Sequence, residues 1–158
     1  MAKILIGFMG AGKSTVSRLL DPDFIDMDDV ITEKIGMPIA DFFEQEGEEA
    51  FRRLESETLA NLADSQLVLS TGGGVVESMR NREILAQNGD TIYLKADFDT
   101  LYKRIEQDKN HLRPLFLNNS RQEFKKIFDR RQAFYEEAAN RVIDVSKKTP
   151  EQIIEELK

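Results

Sequence analysis

Short apolar runs alternate along the chain with longer segments in which apolar residues recur every three or four positions. The short runs are rich in β-branched residues and cover residues 4–6, 24–27, 67–70, 91–94 and 142–145. The longer segments have the spacing of helices that bury one face, and they cover residues 14–20, 29–35, 38–45, 48–63, 78–88, 98–107, 120–139 and 150–157. The pattern predicts strands separated by helices along the whole chain.

This alternation also predicts the fold class. Strands that are joined by helical crossovers pair in parallel, and their helices cover both faces of the sheet. A length of 158 residues is typical of one domain that buries its own core. We therefore expect a single α/β domain over residues 1–158, built on a parallel sheet of five strands.

A glycine-rich stretch, GFMGAGKST, follows the first predicted strand and leads into the first predicted helix. Gly7, Gly12, Lys13 and Ser14 match G-x-x-x-x-G-K-[ST], a loop whose N–H groups surround phosphates while the lysine reaches the outer phosphates and the hydroxyl binds Mg²⁺. The helix N-terminus adds its own attraction for anions. The predicted phosphate contacts are Gly10, Ala11, Gly12, Lys13, Ser14 and Thr15.

Composition limits the choice of partners. The net charge is −7, the sequence pI is about 4.9, and the chain contains no cysteine. An acidic chain has no general attraction for nucleic acids or anionic membranes, and without cysteine there is no disulfide, thiol catalysis or thiolate metal site. No apolar stretch is long enough for a signal peptide or a membrane span. We expect a cytoplasmic monomer whose partners are small molecules.

The segment FIDMDD places two carboxylates, Asp26 and Asp28, at the end of the second predicted strand. Residues two apart in a strand point to the same side, and ligands bind at this edge of a parallel sheet. The alternative for Asp28 is a cap for the next helix. Beside a phosphate loop, such carboxylates suit a Mg²⁺ ligand and an acceptor for the proton of an attacking hydroxyl.

Three consecutive glycines, Gly72, Gly73 and Gly74, follow the third predicted strand. Without side chains, this backbone can lie close to a ligand or to a neighbouring segment. A tight turn from strand to helix is the alternative. We interpret the three glycines as candidate substrate contacts.

Two arginines take inward or nearly inward positions on predicted helices. At about 100° per residue, Arg131 falls in the middle of the apolar stripe of its helix and Arg130 at the edge. On the fourth predicted helix, Arg52 flanks the apolar face beside Glu55, whereas Arg53 points to solvent. An inward guanidinium needs an anionic partner, which is either a structural carboxylate or a ligand.

Residues 108–119 show no periodicity and are rich in loop-forming residues. A loop of this length within a compact domain is usually a functional lid or a disordered segment. Arg113 precedes a proline there, and it is a candidate to close over phosphates and stabilise transferring charge. A solvated loop arginine is the alternative.

Together these motifs resemble the shikimate kinase family, through the segments GFMGAGKST, FIDMDDVI, GMPIADFFEQEGEEAFRRLES, LSTGGGVV, RPLF and RRQAFYEEAA. The resemblance implies the strand order 2-3-1-4-5, a substrate-binding segment at 28–64 and a mobile lid at 108–119. It also implies transfer of the γ-phosphoryl of ATP to the 3-hydroxyl of shikimate in aromatic amino acid biosynthesis.

The resemblance further implies roles for single residues. Lys13, Asp28 and Arg113 would be catalytic, with Arg113 also contacting ATP, while Ser14 and Asp26 would hold Mg²⁺. The implied shikimate contacts are Asp28, Arg52, Gly72, Gly73, Gly74 and Arg131. The implied adenine contacts are Arg104, Lys148 and Pro150.

The chain departs from the family pattern at one point, and two other functions stay open. Only residues 14–25 separate Lys13 from Asp26, which shortens the first helix by about one turn, or ~5 Å, and questions the packing beneath the second strand. A related kinase for gluconate or a nucleoside monophosphate would share the phosphate loop. A GTPase-like switch is disfavoured because the sequence contains no N-K-x-D motif.

Overall fold

The computed structural model describes residues 1–108 and 114–157. Within these residues the strands are β1 Lys3–Ile6, β2 Ile25–Asp26, β3 Val68–Ser70, β4 Thr91–Lys95 and β5 Arg141–Asp144. They form one five-stranded sheet, parallel at every pairing, in the order β2-β3-β1-β4-β5. The predicted fold class and the strand order implied by the resemblance are both confirmed.

The helices of the described residues follow the predicted segments closely. They are α1 Lys13–Leu20, α2 Met27–Ile35, α3 Ile39–Glu46, α4 Glu48–Ala63, α5 Met79–Asn88, α6 Phe98–Gln107, α7 Pro114–Leu117, α8 Arg121–Ala138 and α9 Pro150–Leu157. Two elements were not predicted: the short helix α7, within the segment expected to be a loop, and a 3₁₀ turn at Val75–Glu77. Each is about one turn long, which is too short to show a period.

The centre of the sheet is fully apolar. Ile4, Leu5 and Ile6 of β1 are all completely buried, because strands lie on both sides of β1 and helices cover the faces. The register pairs Leu5 with Ser70 of β3, and Asp26 of β2 with the same Ser70. The carboxyl ends of β1, β2 and β3 therefore meet at one edge of the sheet. The phosphate loop, the segment with Asp26 and Asp28, and the three glycines lie at this edge.

An aromatic cluster anchors the phosphate loop to the helices beside it. The ring of Phe8, within the loop, packs edge-on against Phe124 and Phe128 of α8, with ring centres 5.3 and 5.2 Å apart. Phe98 of α6 joins the same two rings, and Phe116 of α7 packs on Phe124 at 5.6 Å. Packed aromatic pairs of this geometry hold the loop, α6, α7 and α8 in one unit.

The short first helix leaves the second strand well supported. Helix α1 ends at Leu20, and the next residue, Asp21, donates its N–H to the carbonyl of Ser17. Met27 and Ile31 of α2 are fully buried directly after β2, so the packing questioned by the sequence is intact. No helix of the described ranges is long and apolar enough to span a membrane.

Candidate active site

The phosphate loop joins β1 to α1 in the predicted strand, loop, helix order. Gly10 and Gly12 have positive φ values of 85° and 91°, a conformation that glycine adopts without strain. The ammonium of Lys13 donates to the carbonyls of Gly7 at 2.6 Å and Phe8 at 3.1 Å. Lys13 is thus held over its own loop at the N-terminus of α1, where anions are favoured.

A cleft of about 650 Å³ opens beside this loop. Its lining contains the predicted phosphate and metal residues Gly10, Gly12, Lys13, Ser14, Thr15 and Asp26, the predicted substrate residues Asp28, Gly72 and Gly73, and the predicted adenine contact Arg104. Arg52, Gly74 and Arg131 are not among the described residues that line it. Met9, Ser70, Thr71, Asp108 and Leu115 also line it, although sequence reasoning did not select them. Ala11, within the loop, is buried, and its N–H donates to the carbonyl of Phe8 at 3.2 Å.

The structure corrects the geometry expected for the two aspartates. Strand β2 ends at Asp26, and Asp28 lies in the first turn of α2, so the two residues do not share a strand face. The cap of α2 is Asp26 instead of Asp28: its Oδ1 accepts the N–H of Asp28 at 2.9 Å. Both carboxylates nevertheless line the cleft, because the cap turns the chain at the sheet edge.

The aspartates form an anionic end of the cleft. Burial raises the pKa of both Asp26 and Asp28 above their usual 3.8. Asp29 raises the pKa of Asp26 further and Asp26 raises that of Asp28, whereas Lys13 lowers both. A cation bound here would offset this repulsion. The described part of the chain contains no group of three or more His, Cys, Asp or Glu that could hold a metal alone.

The three glycines lie between the aspartates and the arginines. A Cβ built on Gly72 would lie 3.0 Å from Asp28 Oδ1, and one on Gly74 would lie 3.0 Å from Arg52 Nη2 and 3.3 Å from Arg131 Nη2. A Cβ on Gly73 would lie 3.6 Å from Arg131 Nη1. The glycines thus form a strip along which one carboxylate and two guanidinium groups come close to the main chain.

Arg52 is held on one edge by acidic groups of its own helix. Its Nη1 donates to Glu55 Oε1 at 2.9 Å, the pair that the sequence predicted, and its Nε lies 3.6 Å from Glu48 Oε1. The guanidinium carbon also lies 5.7 and 5.3 Å from the ring centres of Phe43 and Phe51. These contacts fix Arg52 while its Nη2 faces the glycine strip.

Arg131 is buried, as its phase on the helix predicted, and it has a partner that the sequence did not reveal. Its Nε donates to Glu77 Oε2 at 3.1 Å, and Arg130 binds the same carboxylate through Nε at 3.2 Å and Nη2 at 2.6 Å. Burial alone would raise the pKa of Glu77, but the hydrogen bonds from both arginines hold that pKa below its usual 4.5. Glu77 lies in the unpredicted 3₁₀ turn, where periodicity gives no signal.

The remaining predicted nucleotide contacts divide into three groups. Arg104 lines the cleft and its Nη1 donates to the carbonyl of Gly10 at 3.2 Å. Lys148 pairs with Glu156 at 2.6 Å and Pro150 begins α9; neither lines the cleft among the described residues. Arg113, and with it the middle of the predicted lid, lies outside the described residues.

The sheet order and the phosphate loop together define the class of the protein, which is a phosphate-loop kinase. A family model described as shikimate kinase matches residues 9–158. A shikimate kinase of Streptococcus gordonii is 59% identical over 156 residues, which are 98% of this chain and 97% of that protein. The chain belongs to the shikimate kinase family.

Solved structures agree with this membership. The shikimate kinase from Acinetobacter baumannii in complex with shikimate is 35% identical and superposes with a TM-score of 0.86 over 99% of this chain and 89% of that chain. A gluconokinase from Sinorhizobium meliloti is 14% identical and superposes with a TM-score of 0.55 over 97% of this chain and 86% of that chain. The second similarity shows a common fold alone. Family membership implies ATP as the co-substrate.

Proposed function

We propose that this kinase transfers the γ-phosphoryl of ATP, with Mg²⁺, to the 3-hydroxyl of shikimate. The single observation that supports this acceptor is the convergence of Arg52 and Arg131 on Gly74, two residues after Gly72, which faces Asp28. Two guanidinium groups from different helices match one carboxylate, and a carboxylate base nearby matches a hydroxyl on the same small molecule.

At the acceptor end, each guanidinium keeps an edge for a ligand. Arg52 uses Nη1 for Glu55 and Arg131 uses Nε for Glu77, while the Nη2 atoms of both arginines face the strip. A ligand carboxylate placed there would receive charge-assisted hydrogen bonds from two sides. This arrangement fixes the orientation of a small acid before transfer occurs.

At the nucleotide end, the loop amides and Lys13 would hold the outer phosphates. Lys13 would exchange its bonds to the carbonyls of Gly7 and Phe8 for bonds to phosphate oxygens. Ser14 and Asp26 fit Mg²⁺, because a hydroxyl, one carboxylate, water and phosphate oxygens make up its usual octahedral set and the buried carboxylates favour a cation. When bound, Mg²⁺ would neutralise charge that develops on the transferred group.

Asp28 would act on the acceptor hydroxyl. It lines the same cleft as Lys13 and lies against Gly72, between the loop and the arginines. Its raised pKa, caused first by burial, makes the carboxylate a better proton acceptor than an exposed aspartate. Asp28 would orient the hydroxyl and accept its proton as the phosphoryl group transfers.

Several earlier expectations remain predictions within this proposal. They are a lid at 108–119 that carries Arg113, a substrate-binding segment at 28–64, adenine contacts from Lys148 and Pro150, a monomeric state and a cytoplasmic location. The cleft lining by Asp108 and Leu115, at the two sides of residues 109–113, is consistent with the lid assignment.

The proposal is tested by measuring ADP release with shikimate, with gluconate, with AMP and without acceptor. We expect ADP release only when shikimate is the acceptor. Turnover with gluconate or AMP but not with shikimate would select the related kinase, and hydrolysis that no acceptor stimulates would favour a switch-like role.

Variants of Arg52 and Arg131, which we call the clamp arginines, test their role in acceptor binding. Arg52→Ala and Arg131→Ala should each raise the KM for shikimate about tenfold or more, because a charge-assisted bond contributes roughly 1.5–3 kcal/mol. Arg53→Ala is the matched control, since Arg53 is exposed beside Arg52 on the same helix. Lysine should rescue position 131 poorly because it cannot form a bidentate pair.

A further inference from the structure

Glu77 lies at the centre of a three-residue ion cluster behind the acceptor end of the cleft. Its carboxylate accepts hydrogen bonds from Arg130 Nε, Arg130 Nη2 and Arg131 Nε. The side chains of Glu77 and Arg131 are only 14% and 10% exposed, whereas that of Arg130 is 53% exposed. The cluster therefore runs from the surface, through Glu77, to the buried arginine.

The position of Glu77 is fixed through its main chain. Its N–H donates to the carbonyl of Gly74 at 3.0 Å, so the turn that carries Glu77 begins at the glycine strip itself. On the other side, Arg82 Nη1 donates to the carbonyl of Val76 at 2.7 Å, and Arg82 stacks over the ring of Phe134 with its guanidinium carbon 4.0 Å from the ring centre. The Glu77 carboxylate is thus presented to Arg131 from a rigid support.

We propose that Glu77 is a positioning residue for the acceptor: it holds the Nε edge of Arg131 so that the two Nη groups face the glycine strip. This inference rests on the proposed function and deepens it. Arg130 is the outer member of the same ion cluster, and its bidentate bond fixes the Glu77 carboxylate. Arg130 thus contributes to acceptor binding indirectly, although its own side chain lies at the surface.

Glu77 also neutralises part of the charge on Arg131, which by itself would weaken attraction for a ligand carboxylate. We expect the orienting effect to be larger. Without Glu77, the buried guanidinium would turn toward a remaining carboxylate, and Asp28 faces the same strip through Gly72. A guanidinium turned in this way no longer offers its fork to a ligand.

Arg52 shows the same arrangement. It is held by Glu55 through one nitrogen and keeps Nη2 toward Gly74, as Arg131 is held by Glu77 and keeps Nη2 toward Gly74. Each of the two clamp arginines therefore has its own buried or half-buried carboxylate. The two supports come from different segments, so they can be tested separately.

The test compares wild type, Glu77→Gln and Arg130→Ala for kcat, KM for shikimate and KM for ATP. Glu77→Gln should raise the KM for shikimate about fivefold to tenfold, with kcat and the KM for ATP within about twofold of wild type. Arg130→Ala should raise the KM for shikimate about twofold to threefold in wild type and not in the Glu77→Gln background. Asp129→Asn is the control, because it removes an exposed pair with Lys125 on the same helix.

A second measurement separates positioning from a general structural role. The alcohol obtained by reducing the carboxylate of shikimate should bind wild type and Glu77→Gln with nearly equal affinity by calorimetry, since it has neither the charge nor the second oxygen for a bidentate pair with Arg131. A lower or unchanged KM for shikimate in Glu77→Gln, or equal weakening of acid and alcohol, would overturn the inference. A wild type that does not phosphorylate shikimate would instead overturn the proposed function, and this inference with it.

Discussion

The fully buried side chain of Asn81 donates a hydrogen bond of 3.0 Å to Glu55 Oε1, the same oxygen that accepts from Arg52. Asn81 also donates to the carbonyl of Val75 at 2.9 Å and accepts from the hydroxyl of Ser56 at 2.6 Å. One amide of α5 thus connects the support of Arg52 on α4 to the turn that follows the glycine strip. The network thus links Glu55 to the turn that carries Glu77, although the Glu77 carboxylate itself is bound by Arg130 and Arg131.

Asn81→Ala should therefore affect both stability and acceptor binding. It leaves the Ser56 hydroxyl and the Val75 carbonyl without this partner and loosens Glu55, so we expect a loss of about 2 kcal/mol or more in the free energy of unfolding. The KM for shikimate should rise as well. Urea unfolding and steady-state kinetics check the two effects, with Ser56→Ala as the control that keeps the bond to Glu55. Equal KM values for shikimate in wild type, Asn81→Ala and Ser56→Ala would show that this network does not affect acceptor binding.

The titration of Glu55 gives a prediction about pH. Burial raises the pKa of Glu55 above its usual 4.5, and Arg52 offsets only part of that effect. The unfolded chain releases this proton near 4.5, whereas the folded protein keeps it to a higher pH. The stability that this group contributes is therefore present at low pH and is lost as the pH rises through the folded pKa.

Glu55→Gln removes this titration. The unfolding free energy of Glu55→Gln minus that of wild type should become more positive from about pH 4 to about pH 7. Urea unfolding at the two pH values measures the difference, and titrating groups that do not interact with Glu55 cancel between the two proteins. Glu57→Gln, at an exposed position of the same helix, is the matched control. A difference that shrinks with rising pH for Glu55→Gln would contradict the sign.

The sequence was sufficient for the fold and for the phases of the key helices. Alternating strands and helices specify a parallel sheet, and helical phase correctly placed Arg131 inside, Arg52 at a flank and Arg53 at the surface. These properties repeat along the chain with a fixed period, so a local pattern is enough to reveal them.

The supports of the site could not be read in this way. Glu77 occupies a single 3₁₀ turn, and Asn81 meets Glu55 across a sequence separation of 26 residues. Such contacts depend on how α4, α5 and α8 pack together, which no local spacing contains. The sequence offered Asp28 only as an alternative cap of α2, and the cap is Asp26, because both are good capping residues and only the end of the strand selects between them.

That cap leads to a prediction for Asp26. Asn at this position can still accept the N–H of Asp28, whereas Ala cannot, so Asp26→Ala should lose roughly 1 kcal/mol of stability that Asp26→Asn retains. Both variants lose a carboxylate at the proposed Mg²⁺ site, and both should need about tenfold or more Mg²⁺ for half-maximal activity. Urea unfolding and Mg²⁺ titration of activity separate the two roles.

The control for Asp26 is Asp97, whose side chain caps α6 by accepting the N–H of Thr100 at 2.8 Å. Asp97→Ala should lose a similar amount of stability and keep the Mg²⁺ dependence of wild type. If Asp26→Asn also keeps that dependence, Asp26 is a structural cap alone.

The glycine strip gives the sharpest kinetic prediction, because neighbouring alanine substitutions should have different effects. Gly74 has φ −89°, and Gly72 is not among the glycines with positive φ, so alanine suits the backbone at both positions. The Cβ at position 74 would meet Arg52 Nη2 at 3.0 Å and Arg131 Nη2 at 3.3 Å, whereas the Cβ at position 72 would meet Asp28 Oδ1 at 3.0 Å. These are ends of side chains, which can move away without unfolding the protein.

Gly74→Ala should therefore displace the clamp and raise the KM for shikimate about tenfold, with a smaller change in kcat. Gly72→Ala should displace the carboxylate that acts on the acceptor hydroxyl and lower kcat about tenfold, with a smaller change in KM. Thermal unfolding checks that both variants remain folded, because the entropy that alanine removes from the unfolded chain offsets part of the cost of moving these side-chain ends. If both substitutions change kcat and KM in the same ratio, Asp28 and the two arginines do not act on separate ends of one acceptor, and the arrangement of the site must be assigned differently.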